Sequence, residues 1–294
     1  APGCGPGGRG FKSRHSPHTR RRSRSSHRRR IRIVRRFPTR DTDVVAIDLN
    51  ADLGEMPGAT GVDLDAALLS VVSSANVATG GHAGDLDSML RVCREAVRSG
   101  VQVGAHVSYP DRAAFGRRSM ALAPPELRAT VTEQIVQLRK AADATGARVG
   151  YLKPHGALYH DAAIDPALAD VLLEIADRAG VAVLTLPGKT LHVRGAAAGT
   201  QVFTEGFADR AYRADGNLQP RDRPGALIHD PTTVRTRVVA LARRLPFDAV
   251  DGQLSLAVDS ICLHGDTPGA VELARHVAES LTQAGISIRP FVRS

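Results

Sequence analysis

Short apolar segments alternate with longer amphipathic segments from residue 44 to the end of the chain. The amphipathic pattern is clearest over 124–145, where apolar residues recur at steps of three or four and Gly146 supplies the stop. Similar patterns predict helices over 63–73, 86–99, 166–179, 232–245 and 268–284. The apolar segments predict β-strands over 44–49, 76–79, 101–105, 149–152, 181–186, 201–204 and 260–263, with an eighth strand or a closing extension over 286–288.

This alternation predicts an α/β fold in which right-handed crossovers join parallel strands. Polar clusters follow nearly every predicted strand, whereas an open sheet would concentrate them at one switch point. We therefore predict a β/α-barrel-like fold of seven or eight strands. Residues 41–294 match the roughly 250 residues of one such barrel, so we interpret them as a single catalytic domain.

Residues 1–40 hold fourteen Lys and Arg side chains and no Asp or Glu. Such a composition buries too little apolar surface to offset the entropy of ordering, so we expect a disordered tail. The tail could bind nucleic acid or an anionic surface, or could be a transit peptide, but an upstream extension without function is favoured. Of the chain's 39 basic residues 25 remain after the tail, against 30 acidic ones, so the body is not expected to bind nucleic acid.

Cys4, Cys93 and Cys262 lie far apart and lack the spacing of a metal site. Disulfide bonds are therefore not expected, and a reducing, cytoplasmic location is favoured. No apolar run approaches the roughly 20 residues that a membrane-spanning helix needs, so we expect no membrane association.

The first polar cluster follows the strand at 44–49. Asn50 and Asp52 would share one face with Asp48 if the strand continued that far, and Glu55 follows closely. Carboxylates that converge there could act as a general base or hold a cation. Turn and N-cap chemistry would explain the same residues, so both interpretations stay open.

Four of the eleven histidines lie just beyond predicted strands, and this placement favours function over the ordinary role of a core histidine; they are His82, His106, His155 and His264. Glycines flank His82 and would let the backbone approach a ligand closely. Asp85, three residues on, could orient His82 or simply cap the following helix.

Lys153 closes an apolar strand directly before Pro154 and His155. Because lysine is rarely buried without a partner, this side chain either has a lowered pKa or clamps an anion. The long segment 209–230 is interpreted as an ordered loop over the site. Further candidates for substrate contact lie after other strands: Arg112, Tyr159, Glu205, Asp209, Arg210, Tyr212 and Asp266.

The run from Pro187 to Thr190 resembles the end of a Walker A motif. That motif requires a glycine five residues before Gly188, and the residue there is Val183. We therefore interpret the run as a strand-to-helix connection, and the body has no recognisable nucleotide-binding loop of its own.

Taken together, these motifs resemble the LamB/YcsF family, whose members are A subunits of 5-oxoprolinase. The chain departs from the family pattern at Thr79, Gly81 and Val107 and in a longer connection over 56–62, which bears on pocket shape more than on chemistry. The matching stretches cover nearly the whole body: 47–55, 74–85, 104–120, 153–159, 205–230 and 262–266.

The resemblance implies a barrel of the glycoside hydrolase/deacetylase type. It also implies action with partner subunits B and C to open the lactam ring of 5-oxoproline to L-glutamate. The reaction uses ATP, and its activation is shared with or carried by the partners.

On this hypothesis Asp52 and His82 activate water, and His155 delivers a proton. Lys153 and Arg112 hold the phosphate or the substrate carboxylate, and Glu205 or Asp209 grips the amine side. The remaining candidates are assigned to substrate contact: Asn50, Glu55, Asp85, His106, Tyr159, Arg210, Tyr212, His264 and Asp266.

Two other interpretations remain. The chain could be a metal-dependent deacetylase or amidase acting on a carbohydrate, with strand-end His and Asp residues binding zinc in an open three-ligand site. No closely spaced His pair supports that interpretation, and the sequence leaves the presence of a metal open. A nucleic-acid-binding protein led by the basic tail would leave the strand-end clusters unexplained.

Overall fold

The computed structural model describes residues 45–221, 223–263 and 269–292. The tail predicted over 1–40 lies outside the described residues. The strands are β1 (Ala46–Leu53), β2 (Ser74–Ala78), β3 (Gln102–Val107), β4 (Val149–Pro154), β5 (Ala182–Thr185), β6 (Val202–Phe207), β7 (Phe247–Ala249), β8 (Gly252–Leu254), β9 (Ser260–Leu263) and β10 (Ser287–Ile288).

Seven of these strands run parallel and close into a barrel in the order β1-β2-β3-β4-β5-β6-β9, with β9 pairing back onto β1. The helices that join or flank the strands are α1 (Gly58–Leu69), α2 (Leu86–Ser99), α3 (Pro124–Thr145), α4 (Gly156–Ala162), α5 (Pro166–Ala179), α6 (Thr190–Ala198), α7 (Pro231–Arg243) and α8 (Ala270–Gln283). No helix in the described part of the chain combines the length and apolar character that crossing a membrane would require.

The predicted barrel of parallel strands is confirmed. β10 pairs with the first residues of β1, where Ala46 lies opposite Ser287, so the last apolar segment is a closing extension and not a barrel strand. The main correction of a boundary concerns β1, which runs on to Leu53. Asn50 and Asp52 therefore lie within the strand and not in the loop after it.

Three elements escaped prediction: α4, α6 and the β7–β8 hairpin. α6 buries only Leu191 and Gly195, so it carries no apolar stripe of helical spacing. α4 has seven residues and each hairpin strand has three, which is too short for a clear period. Lys189 directly precedes α6, which confirms that the Walker-like run is a strand-to-helix connection.

Alternation along β1 separates two environments. Leu49 and Leu53 point outward into the hydrophobic core between the barrel and its helices, where both are fully buried. Asp48, Asn50 and Asp52 point inward, because successive strand residues face opposite sides. The inner face of this barrel is polar, and that places its chemistry along the barrel axis.

Aromatic side chains fill the amino-terminal end of the barrel. The Tyr151 ring lies 4.9 Å from the Phe291 ring, which in turn lies 4.9 Å from that of Phe203. The Tyr151 hydroxyl donates a hydrogen bond of 2.7 Å to Asn76 Oδ1. Gly104 on the neighbouring strand makes room for this ring, since a Cβ there would lie 2.2 Å from the ring carbons. Apolar side chains therefore close the amino-terminal end of the barrel beneath the polar interior.

Gly104→Ala should therefore destabilise the barrel. The added methyl group meets a fully buried ring that cannot move without breaking its hydrogen bond, and overpacking of this kind costs about 1–3 kcal/mol. Gly206→Ala is the matched control in another barrel strand, because its nearest neighbour is a Leu241 methyl group 3.0 Å away that can give way. Urea denaturation should show the larger loss for Gly104→Ala; equal losses would contradict this account.

Candidate functional site

Side chains from several strands form one hydrogen-bond network inside the barrel. Asn50 Nδ2 donates to Ser260 Oγ at 2.6 Å and to Glu205 Oε2 at 3.3 Å. Asn76 Nδ2 donates to Asn50 Oδ1 at 2.6 Å and to Asp52 Oδ1 at 2.8 Å. The network thus fixes two carboxylates, those of Asp52 and Glu205, in the barrel interior.

Asp48 lies deeper in the same interior. Its carboxylate accepts hydrogen bonds of 2.6 Å from the hydroxyls of Ser73 and Ser74, and a third from Ser260. Burial raises the pKa of Asp48 to about 6, and the three hydroxyls oppose that shift without cancelling it. Asp48 therefore changes charge in mildly acidic solution.

Lys153 joins the two fixed carboxylates. Its Nζ lies 3.2 Å from Asp52 Oδ1 and 3.0 Å from Glu205 Oε2, and it also donates to Asn50 Oδ1 and Cys262 Sγ. Burial alone would lower the pKa of Lys153, but the adjacent carboxylates outweigh burial and raise that pKa well above its ordinary value. The prediction of a lowered pKa is therefore wrong: the buried group is an ammonium ion that neutralises acids.

The rings of His82, His106 and His155 meet beside Glu55 at the carboxyl end of the barrel. His82 Nε2 lies 3.0 Å from Glu55 Oε1, and His155 Nδ1 lies 3.0 Å from His106 Nε2. Glu55 Oε1 lies 3.6 Å from His155 Nδ1 and 3.8 Å from His106 Nε2. One ligand-type atom from each residue lies within 4.8 Å of the others, so this group could hold a metal ion.

Two of these imidazoles are neutral at pH 7. Burial, reinforced by the neighbouring imidazoles, lowers the pKa of both His82 and His155 to about 2. His155 Nε2 lies 2.9 Å from the carbonyl oxygen of Phe115, to which it donates. That nitrogen therefore carries the ring hydrogen, and the delivery of a proton by His155 stays a prediction.

Two glycines close the outer side of the histidine cluster. Gly116 has φ +64°, and a Cβ there would lie 2.9 Å from His82 Cβ and 3.1 Å from His155 Cδ2. The Ala157 N–H donates to the Gly116 carbonyl at 2.9 Å, and a Cβ on Gly156 would lie 2.4 Å from that oxygen. Bare backbone at Gly116 therefore packs directly against two imidazoles, and Gly156 leaves room for the Gly116 carbonyl.

A cavity of about 430 Å³ opens at this end of the barrel. One side carries acidic and imidazole side chains together with Arg117, and the other, cationic side is formed by the loop that follows β6, which carries Arg210 and Arg221. Tyr159 and Phe207 complete the walls. The lining of the first side is Asp52, Glu55, His106, Arg117, Lys153 and His155, and that of the second is Arg210, Leu218, Gln219, Pro220 and Arg221.

Arg210 presents a buried donor on the cationic side. Its side chain is 5% exposed, and one Nη donates to the Gln219 carbonyl at 2.8 Å. Its Nε is buried and has no hydrogen-bond acceptor among the described residues. Burial and the neighbouring Arg221 lower the pKa of Arg210. A donor held in this way suits an anionic ligand.

Arg112 and Asp85 have local structural roles. Arg112 is exposed outside the cavity walls and donates to the carbonyl oxygens of Gly80 and Gly84 at 3.0 and 2.8 Å. It therefore braces the loop that carries His82. Asp85 accepts a hydrogen bond of 2.8 Å from the Ser88 N–H, so it caps α2.

The remaining candidates from the sequence lie outside the first cavity or outside the described residues. The hydroxyl of Tyr212 accepts the Phe207 N–H at 2.8 Å and is fully buried, which ties the loop after β6 to the barrel. Asp209 lines a second cavity of about 490 Å³ together with His229, Glu272 and His276. His264 and Asp266 lie outside the described residues.

Sequence reasoning missed Asn76, Arg117, His160 and Arg221, all of which belong to the interior network or the cavity wall. Asn76 was visible as an amide in an otherwise apolar strand. The arginines carried no signal of this kind, because an arginine in a loop is ordinarily solvated.

A comparison with protein families matches the model of the LamB/YcsF family over residues 47–294. The chain belongs to the LamB/YcsF family. The match includes every strand that carries the site, and the basic tail falls outside it.

Individual relatives agree with this assignment. The chain is 48% identical over 251 residues to the A subunit of 5-oxoprolinase from Mycobacterium avium, covering 84% of this chain and 100% of that one. It is 49% identical over 248 residues to the protein of the same name from Streptomyces griseus, covering 83% and 99%. The crystal structure of a lactam utilization protein from Thermus thermophilus is 38% identical, covers 83% of this chain and 99% of that chain, and has a TM-score of 0.78.

Asp48→Asn should make the free energy of unfolding depend less steeply on pH. Because the folded pKa of Asp48, about 6, exceeds the ordinary 3.8, its contribution to stability is fully present below pH 4 and is lost as the pH rises through 6. The loss amounts to about 3 kcal/mol for a shift of this size. Urea unfolding of both proteins from pH 4 to pH 7 should therefore give wild type the steeper decline, and parallel profiles would refute the shift.

Proposed function

We propose that this chain is the A subunit of a 5-oxoprolinase, which opens the lactam ring of 5-oxoproline to L-glutamate with ATP and partner subunits B and C. Its membership of the LamB/YcsF family and the names of its relatives support the proposal. The structural observation that carries it is the two-sided cavity, with arginines facing carboxylates and imidazoles. The substrate has matching halves, since it combines a carboxylate with a cyclic amide.

On this proposal the substrate carboxylate binds on the cationic side. Arg210 offers its buried Nε, and Arg221 adds positive charge beside it. A guanidinium group pairs with a carboxylate through planar, often bidentate, hydrogen bonds. The lactam ring then points to the acidic side, where Asp52 lies.

The five-membered lactam is a resonance-stabilised amide, so its opening needs activation. Phosphorylation of the amide oxygen by ATP gives an electrophilic ring carbon. Water adds to that carbon, and the ring nitrogen takes a proton as the C–N bond breaks, which leaves an acyl phosphate. A second water then hydrolyses the acyl phosphate to the free carboxylate and inorganic phosphate. The described residues include no phosphate-wrapping glycine loop, and the run before α6 lacks its first glycine. We therefore assign ATP handling to the partner subunits.

Asp52 is suited to accept the proton of the attacking water. It lines the cavity, and hydrogen bonds to Asn76 and Lys153 hold one of its oxygens. The Lys153 ammonium lies 3.2 Å from that oxygen, and a positive charge so close favours the basic, ionised form of a carboxylate. His82 is 2% exposed and lies behind the cavity wall, where it contacts Glu55. We therefore assign it the role of a residue that positions Glu55.

The metal-dependent deacetylase or amidase remains a second candidate function, because the group formed by Glu55 and three imidazoles favours it. A neutral sugar substrate, however, would give the arginines on the opposite wall no anionic partner. Release of acetate from acetylated sugars, without partner subunits or ATP, would support this second candidate.

The proposal is tested by mixing the purified chain with candidate B and C subunits, ATP and 5-oxoproline and measuring glutamate. Asp52→Asn should lower kcat by about 10²- to 10⁴-fold, as expected for the loss of a general base. Asp63→Asn, a matched change at an exposed position on α1, should leave kcat unchanged. Absence of glutamate with wild type and competent partners would sink the proposed function, and full activity of Asp52→Asn would sink the role of Asp52.

Arg210→Met should raise KM for 5-oxoproline by about 10- to 100-fold with a smaller effect on kcat, because a charged hydrogen bond to the substrate carboxylate is lost. Arg210→Lys keeps the charge and should recover part of the affinity. Arg213→Met removes an exposed arginine three residues further on, whose ionic contacts are with Asp215 and Asp251, and should leave KM unchanged. Steady-state kinetics of the reconstituted complex give the answer, and equal KM values for all variants would remove Arg210 from the substrate site.

A further inference from the structure

Hydrogen bonds to backbone carbonyl oxygens fix the tautomers of two imidazoles in the histidine cluster. His106 Nδ1 lies 3.2 Å from the Lys153 carbonyl oxygen, and His155 Nε2 lies 2.9 Å from that of Phe115. A carbonyl oxygen only accepts, so each of these nitrogens carries the ring hydrogen. In a ring that carries this one hydrogen, the other nitrogen presents a lone pair.

These two lone pairs face each other. His106 Nε2 and His155 Nδ1 are 3.0 Å apart, and Glu55 Oε1 lies 3.8 and 3.6 Å from them. Two lone pairs at this distance repel unless a proton or a metal ion lies between them. His106 Nε2 also lies 3.4 Å from Asp52 Oδ1, so two carboxylates approach this pair of nitrogens. Negative charge from two acids beside two imidazole nitrogens favours a bound cation, whereas a proton shared by the two rings would give a protein that binds no zinc here.

The separations suit a small divalent ion. Ligand atoms about 2.0–2.1 Å from a tetrahedral zinc ion lie roughly 3.3 Å from one another. The three measured distances among His106, His155 and Glu55 are 3.0, 3.6 and 3.8 Å. Two imidazoles and one carboxylate also form a known ligand set of open zinc sites, in which a fourth position is left for water or substrate.

His82 is not a fourth ligand in this arrangement. Its ring stacks on that of His155 with centroids 3.7 Å apart and planes within 5°, so their in-plane lone pairs cannot converge on one point. Its Nε2 instead lies 3.0 Å from Glu55 Oε1 and can donate to it. Each of the three remaining residues thus has an outer partner: Lys153 O for His106, Phe115 O for His155, and His82 for Glu55.

We propose that Glu55, His106 and His155 form a three-ligand site for a divalent cation of the zinc class, and that His82 orients Glu55. Outer hydrogen bonds of this kind fix ligand orientation in metalloproteins and are worth about 10- to 100-fold in affinity. The site does not depend on the identity of the substrate, since it follows from the arrangement of donors alone.

The test measures metal binding directly, without ATP, partners or 5-oxoproline. The full chain, stripped with a chelator, is titrated with Zn²⁺ at pH 7 by equilibrium dialysis and elemental analysis. We expect one tightly bound equivalent that is lost in His106→Asn, His155→Asn and Glu55→Gln. Co²⁺ in its place should show visible d–d absorption, which the same three changes abolish.

The remaining variants separate ligands from supporting residues. His82→Asn should keep one equivalent but bind it about 10- to 100-fold more weakly. His276→Asn, a change in a histidine remote from the cluster on α8, should bind like wild type. Zinc could also bind to the tail histidines, which are His15, His18 and His27. Such zinc would remain bound in all of these variants, and this constant stoichiometry would distinguish it from zinc in the cluster.

Circular dichroism and melting curves show which variants fold. If the histidine variants unfold, Glu55→Gln decides alone, because Glu55 is a partly exposed residue of the rim. Wild type without a tight equivalent of Zn²⁺ would overturn the site, and so would undiminished binding by the folded Glu55→Gln variant. Either result leaves the glutamate assay and the proposed function untouched.

Discussion

The ammonium group of Lys153 is the interaction on which this barrel interior depends. It lies between Asp52 and Glu205 at about 3 Å from each, in a region with almost no solvent. Two carboxylates so close together would otherwise favour protonation of one of them, because like charges in low dielectric raise pKa values. A single buried cation therefore offsets the charge of two acids in the barrel interior.

Charge around the cavity is organised in two parts as a result. Near Lys153 two carboxylates share one ammonium ion, while burial lowers the pKa of the adjacent imidazoles of His82 and His155. Arg210 and Arg221 lie on the other side of the cavity, on the loop that follows β6. An anionic, amide-containing molecule in this cavity would meet positive charge at one end and proton acceptors at the other. Such an arrangement can orient a small substrate without a large binding surface.

The sequence predicted the barrel because strand and helix periods alternate clearly, and because polar residues recur at the strand ends. It placed Asp52, Lys153, His82, His106 and His155 at one end of the barrel, where the structure has them. It could not assign their charges, since the pKa of Lys153 depends on which acids lie across the barrel. Nor could it separate Arg112, which braces a loop, from Arg210, which lines the cavity, because loop arginines look alike in sequence.

Where the local sequence allows two roles for a residue, tertiary contacts determine which role it has. Asp85 satisfied both an N-cap and an orienting role on paper, and only the hydrogen bond from the Ser88 N–H resolves the choice. β1 likewise continued through Asn50 and Asp52 because pairing with β2 and β9 satisfies the backbone of these polar residues. Tertiary pairing here outweighs the local preference of Asn and Asp for turns.

The close packing of Gly116 against two imidazoles has a consequence for solvent. A Cβ at this position would lie 2.9 Å from His82 Cβ and 3.1 Å from His155 Cδ2, so bare main chain covers one flank of both histidines. Dehydration is the largest cause of the weak basicity of His82 and His155. The proton affinity of the cluster is therefore governed in part by a residue that has no side chain.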